Sequence, residues 1–125
     1  LDYTYKARAA AVLADIQAVR VAAYAYNADS NAWPPDVSRG IVPPELEPYL
    51  GDGFTFQREH YLLDWDNWVL PDGSPSRPEM GTIVGISLTT DDEKFGKALV
   101  DLLGENTARA TIGEHYTFIV VGTGN

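Results

Sequence analysis

The feature that most constrains this fold is an apolar stripe at helical spacing in the first quarter of the chain. Its members lie alternately four and three residues apart: Tyr5, Ala9, Val12, Ile16, Val19, Ala23 and Tyr26. This spacing places them on one side of an α-helix. No Gly or Pro interrupts the segment, and alanine, the strongest helix former, recurs throughout it. The pattern predicts one helix over residues 3–28, a rod of about 39 Å at 1.5 Å per residue.

The two halves of this stripe differ in side-chain size. From Val12 onward it carries Val, Ile and Tyr, which can pack against a sheet, whereas residues 1–11 offer mainly Ala and scattered Tyr. Because packing supplies most helical stability in proteins, we expect the second half to be the core helix of a small domain and the first half to project beyond it. A helix docked along its whole length, or one strand of a coiled coil, is the alternative that periodicity leaves open.

The composition is that of one globular domain with an acidic surface. The 125 residues suit a single domain with one core. We divide the chain into a long helix (1–29), an irregular connection (30–53) and a sheet-containing head (54–125). Residues 1–30 carry equal numbers of acidic and basic side chains, so the net charge of −9 belongs to residues 31–125. This argues against nucleic acid and anionic membrane surfaces, because phosphate binding needs Lys and Arg. The absence of cysteine excludes disulfides, a thiol nucleophile and cysteine-bound zinc.

The remainder of the chain predicts a small antiparallel sheet and one further helix. Alternation of apolar and polar residues indicates strands over residues 54–59, 61–70, 81–89 and 116–121. Thr90 and Glu93 have the spacing of a capping box and predict a second helix that ends at Gly104, and two prolines favour a helical turn over 45–50. The segments expected to be irregular are 71–80, 105–114 and 122–125. The predicted fold is α+β: a long N-terminal helix packed on a small antiparallel sheet, with one additional short helix.

Chemistry-bearing residues are few, and none is assigned a catalytic, cofactor-binding or metal-binding role. Asp64 and Asp66 share one face of a predicted strand at roughly 6.5–7 Å, a spacing compatible with two glycosidase carboxylates or a calcium site. A solvated outer sheet face explains them more simply, and no motif supports calcium. His60 and His115 are too isolated to indicate a metal site, and Ser87 lies in a strand with no base beside it.

An alanine-rich helix, then an Asn/Asp stretch and a Trp-Pro-Pro segment, precedes the predicted sheet. The residues concerned are ARAAAVLADIQAVR (7–20), then Ala23, Tyr24, Tyr26 and Trp33-Pro34-Pro35. In these residues, and in the order of its elements, the chain resembles the type IV pilin and type II secretion pseudopilin superfamily. The specific part of the resemblance covers residues 7–35. The segment Asp64-Trp65-Asp66-Asn67-Trp68 does not match the Pro-Trp-Gly-type motif of major pseudopilins.

The resemblance implies a longer native chain that begins with a leader and a hydrophobic half-helix. A prepilin peptidase would remove the leader, methylation would accompany processing, and the hydrophobic segment would anchor the subunit in the inner membrane. The expected location is periplasmic or at the cell surface. The expected partners are other pilin or pseudopilin subunits and the secretion or pilus assembly machinery.

The function that these features favour is a non-enzymatic structural subunit that assembles through its helix, with no cofactor. The seven stripe residues are the predicted packing and assembly positions. Two rivals remain open. One is a small periplasmic or extracellular module that binds a ligand or partner through the sheet or the loop 71–80, and the other is a hydrolase that uses Asp64 and Asp66.

Overall fold

The long helix and the antiparallel sheet both form, as the sequence predicts. A computed structural model describes residues 3–76, 82–103, 109–112 and 115–122. Its elements in chain order are helix α1 (Tyr3–Ser30), a 3-10 helix (Pro44–Tyr49), strands β1 (Leu62–Asn67) and β2 (Thr82–Thr89), helix α2 (Glu93–Leu103), and strands β3 (Arg109–Ile112) and β4 (His115–Gly122). The strands form one sheet in the order β1-β2-β4-β3, with every neighbouring pair antiparallel. The fold is therefore α+β.

The core lies between α1, α2 and one face of the sheet. Five of the seven stripe residues of α1 are buried, and Tyr5 and Tyr26 are half-buried against the same cluster. The sheet contributes alternate residues, since period-two side chains point to one face. They are Leu63, Trp65, Val84, Ile86 and Leu88, all with no exposed surface. This burial fixes which side of α1 faces inward.

The expected overhang of residues 1–11 is wrong from Tyr5 onward. Ala9 is completely buried, and Arg8 Nη1 lies 4.0 Å from a carboxylate oxygen of Asp92 at the start of α2. The reason is that α2 packs along the first turns of α1 and brings Phe95 and Leu99 into the core. Small alanine side chains let two helices approach closely, so this half needs no large residue of its own.

The predicted strand over residues 54–59 is also wrong. The segment forms a single bridge, from Gln57 to Leu62, and a tight turn in which Arg58 N donates to the Tyr61 carbonyl oxygen at 2.9 Å. Phe54 and Phe56 alternate because their rings pack edge to face, 6.3 Å apart, and not because they belong to a ladder. The strand predicted over 61–70 is correspondingly shorter.

Two further predictions need correction around α2. The helix is capped by Asp92, whose Oδ1 accepts from Phe95 N at 3.2 Å, whereas Thr90 Oγ1 accepts from Asp92 N and donates to the His60 carbonyl oxygen. Strand β3 lies inside the segment that was expected to be a connector, because its four residues are too few to give a periodic signal. Residues 77–81, the Gly104 stop and the tail beyond Gly122 lie outside the described residues.

None of the described helices has both the length and the apolar character needed to span a membrane.

Candidate functional site

The outer side of α1 carries a second stripe that has no charge. Its members are again spaced four and three residues apart, and all are exposed: Tyr3, Ala7, Ala10, Ala14, Gln17, Val21, Tyr24 and Ala28. On a helical wheel this stripe lies opposite the buried one. We call it the outer stripe.

An uncharged, exposed helix face needs an explanation. The outward side of a surface helix normally carries charged residues, and a helix that is apolar all round is normally buried. Here Tyr3, Val21 and Tyr24 are 77%, 67% and 45% exposed. Tyr24 also packs edge to face on Trp33, with ring centroids 5.6 Å apart, which extends the apolar surface beyond the helix. The outer stripe has the composition of a surface that another helix covers.

The predicted packing and assembly residues lie on the opposite side. Tyr5, Ala9, Val12, Ile16, Val19, Ala23 and Tyr26 all face the core of their own chain. In the single chain five of these side chains are buried and Tyr5 and Tyr26 are half-buried. A role for these positions in assembly stays a prediction. The sequence analysis did not identify the outer stripe, although the sequence contains its signal. On the side of the helix opposite the buried stripe, a second set of positions has the same spacing and includes no charged residue.

A polar network fixes α1 to the turn before β1. Asp15 receives two hydrogen bonds from the Arg58 guanidinium, at 2.9 and 3.0 Å, and one from the Tyr61 hydroxyl at 2.6 Å. The hydrogen bond to Asp15 raises the pKa of Arg58. The pKa of Tyr61 is also raised, mainly by burial and secondly by its hydrogen bond to the Asp15 carboxylate. Because the Arg58–Asp15 contact is bidentate, it sets the rotation of α1 about its own axis as well as its position. The network thus keeps the outer stripe facing away from the sheet.

A cluster of three carboxylates lies beside the edge strand β1. One oxygen each from Asp36, Asp64 and Asp66 lie within 4.8 Å of one another. The sequence brings Asp64 and Asp66 together on one strand face, and the loop supplies Asp36. Two hydrogen bonds hold this loop along the edge of β1. Trp65 Nε1 donates to the Pro34 carbonyl oxygen at 2.8 Å, and Gly40 N donates to the Leu63 carbonyl oxygen at 2.8 Å.

The predicted solvated outer face is therefore wrong for this pair. Asp64 and Asp66 are half-buried, and Asp64 Oδ1 is inaccessible to solvent with no hydrogen-bond partner among the described residues. Burial, then the charges of Asp66 and Asp36 and a hydrogen bond to Asp66, raise the pKa of Asp64 to about 7. Burial also raises the pKa of Asp36. Hydrogen bonds from the backbone of Asn67 and Val37 lower this pKa, but their effect is smaller than that of burial.

The cluster has the chemistry of a cation ligand set more than that of a hydrolase. Carboxylate oxygens are hard ligands of the kind that calcium and magnesium take, and among the described residues this is the group with metal-ligand spacing. Ser87 does have a base beside it, since its hydroxyl donates to Asp66, but it is 7% exposed and no substrate can reach its oxygen. His60 is paired with Glu59 at 3.8 Å, away from the cluster, and the side chain of His115 lies outside the described residues.

Replacing Asp64 with Asn should stabilise the chain at pH 8 and have little effect at pH 4. The pKa of Asp64 is raised from 3.8 to about 7 on folding, so the folded chain loses stability as the pH rises through this window. After allowance for solvent screening at a half-buried site, we expect the substitution to raise the free energy of unfolding at pH 8 by about 1–2 kcal/mol. Urea denaturation at both pH values measures it, with exposed Asp52→Asn as the control. Equal effects at pH 4 and pH 8 would contradict the assignment.

The fold and the outer stripe together define a class: an α+β protein in which one long helix packs on a small antiparallel sheet and keeps an uncharged face exposed. The family model described as "PilW, C-terminal" matches residues 4–74, and the chain belongs to that family. The family is associated with type IV pilus biogenesis, so the chain is a type IV pilus-associated protein that works with the pilus assembly machinery. The matched region contains α1 from its second residue onward and all three carboxylates of the acidic cluster. Neither the curated proteins nor the solved structures contain a match.

The match confirms the pilus-related part of the resemblance. The matched family is not an enzyme family. Membership of the pilin or pseudopilin superfamily in particular stays a prediction.

Proposed function

We propose that this protein is a structural subunit of a type IV pilus-like filament, and that the outer stripe of α1 is its contact with neighbouring subunits. The observation that carries the proposal is that eight exposed positions at helical spacing, along the whole of a 28-residue helix, hold no charged residue. A surface of this kind about 42 Å long is expected where helix packs on helix.

The residues of the outer stripe suit close helix packing. Ala7, Ala10, Ala14 and Ala28 allow two helix axes to approach, and Val21 and Tyr24 add apolar area that is exposed in the single chain. Burying such area is favourable at about 25 cal/mol per Å². Gln17, the polar member of the middle of the stripe, can donate and accept across an interface without the cost of burying a charge.

The charge distribution supports the same arrangement. Residues 1–30 sum to zero charge and residues 31–125 carry −9, so subunits that join through their helices keep their acidic surfaces apart and exposed to solvent. The filament would be a type IV pilus or a type II secretion filament. In either case we place the subunit in the periplasm or at the cell surface, anchored in the inner membrane by a preceding hydrophobic segment and processed by a prepilin peptidase before it assembles.

A cysteine-directed cross-linker at Val21 should capture a second copy of the chain in assembled filaments. Residues 1–125 contain no cysteine, so Val21→Cys places a thiol-attached photo-crosslinker at one position within them; any cysteine elsewhere in the full-length protein is first replaced by serine. The matched control is Leu70→Cys, which is 43% exposed and lies in the segment after β1. Filaments are sheared from cells, irradiated and separated by size.

We expect dimers from the Val21→Cys filaments and few from the control. If wild-type filaments contain the protein but Val21→Cys cross-links no better than Leu70→Cys, the outer stripe is not the contact. If the sheared fraction of wild-type cells lacks the protein, it is not a filament subunit.

A further inference from the structure

A groove lies between the first turns of α1 and helix α2. Its volume is about 600 Å³, and Lys6, Lys94 and Lys97 line it. These are all the lysines that the chain contains. Tyr5 and Leu102 supply apolar surface, and Leu102 is 49% exposed. We call it the lysine groove.

The lysine groove is basic in a protein that is otherwise acidic. Asp101 also lines it, so three cations face one carboxylate there, whereas the chain as a whole has a net charge of −9. Charged side chains that surround an apolar patch favour a partner with the opposite charge and some apolar surface. The partner that the lysine groove fits is therefore an acidic segment with apolar or aromatic residues.

The chain presents such a segment beside the other end of α1. The end of the 3-10 helix and the turn after it, residues 47–53, expose Glu47 and Asp52 around a second depression of about 500 Å³. None of the described residues that line this depression is basic, and Val42, Leu50 and Phe54 supply its apolar surface. We call residues 47–53 the acidic turn.

Contacts to α1 fix the position of the acidic turn. The Tyr49 hydroxyl donates to Asp29, and the Tyr49 ring packs edge to face on Tyr26, with centroids 6.5 Å apart. The acidic turn therefore lies beside the last turns of α1, and the lysine groove beside the first. Tyr5 at the groove and Tyr26 at the acidic turn lie 21 residues apart on α1, a distance of about 32 Å along the helix axis. One molecule thus carries complementary surfaces near opposite ends of one helix.

We propose that the lysine groove binds the acidic turn of a second copy of this chain. Such a contact joins different surfaces of two identical molecules, so each copy keeps one free groove and one free turn and the assembly grows as an open filament. The inference rests on the proposed filament function and adds a direction to it: the start of α1 in one subunit lies against the end of α1 in the next. The outer stripe packs helices side by side, and the lysine groove sets their stagger.

Charge reversal and charge exchange in the full-length protein test this contact. Lys94→Glu with Lys97→Glu, and separately Glu47→Lys with Asp52→Lys, should each lower the amount of sheared filament by about tenfold or more, because like charges then meet across the contact. The variant with all four changes should recover most of the wild-type amount. All four side chains are exposed, so thermal unfolding of each purified variant should match the wild type. Glu59→Lys, 88% exposed at its side chain and outside both surfaces, is the control.

Each outcome separates this contact from the filament function itself. Filaments that persist after the two lysines are reversed would overturn the contact and leave the subunit function standing. A loss that the fourfold exchange does not restore would show that the groove binds something else, an anionic membrane surface for example, and would also overturn it. Wild-type cells whose filaments lack the protein would contradict the subunit function first.

Discussion

Ile16→Asp should unfold this protein at a temperature more than about 10 °C below that of the wild type. Ile16 is 3% exposed and lies in the middle of the buried stripe, within the cluster that joins α1 to the sheet. An aspartate there must either bury an unpaired charge or be protonated on folding, and it also loses the packing of the isoleucine. Together these effects cost about 4 kcal/mol or more.

The neighbouring residue provides a matched control. Gln17 is exposed on the outer stripe, so Gln17→Asp adds the same side chain to the same helix and should cost no more than about 1 kcal/mol, mostly in helix propensity. Thermal denaturation followed by circular dichroism compares the two. If Ile16→Asp melts within a degree or two of the wild type, or no lower than Gln17→Asp, the docking of α1 described above is wrong.

The long helix and its inward face could be predicted because the signal is local and repeated. Seven positions at alternating spacings of four and three give the same answer, and no Gly or Pro contradicts it. The strands with inward Leu63, Trp65, Val84, Ile86 and Leu88 were predictable for a similar reason, since alternation also repeats. The fold class follows from these two elements.

Two of the errors occur where a long-range contact decides the structure. Residues 1–11 appear too small to dock until α2 lies beside them and supplies Phe95 and Leu99. The sequence alone indicates a solvated face for Asp64 and Asp66. In the structure, the loop places Asp36 beside them at the edge of β1. Neither partner is adjacent in sequence, so neither periodicity nor composition could indicate it.

The outer stripe could have been predicted and was not. Its eight positions have the same spacing as the buried stripe. An Ala-rich face looks neutral when hydrophobicity is averaged, because the absence of charge is less conspicuous than the presence of large apolar residues. The outer stripe becomes noticeable only when the buried stripe is assigned to the core, because the opposite, uncharged stripe must then be exposed to solvent.

Ala14→Glu combined with Val21→Glu should abolish incorporation of the full-length protein into filaments while leaving its fold intact. Both residues are exposed and lie two helical turns apart on the outer stripe, so two glutamates would be buried without a partner if a neighbouring helix covers them. That cost is several kcal/mol per subunit contact, which corresponds to more than about a thousandfold in affinity. Glutamate forms helix nearly as well as alanine, so the single chain should melt as the wild type does.

The measurement is the amount of this protein in the sheared filament fraction, divided by its total amount in the cell. The control is Leu70→Glu, which places a charge on an exposed apolar residue outside α1. We expect the fraction to fall below detection for the double variant and to stay at the wild-type level for the control. Wild-type incorporation of a correctly folded double variant would contradict assembly through the outer stripe.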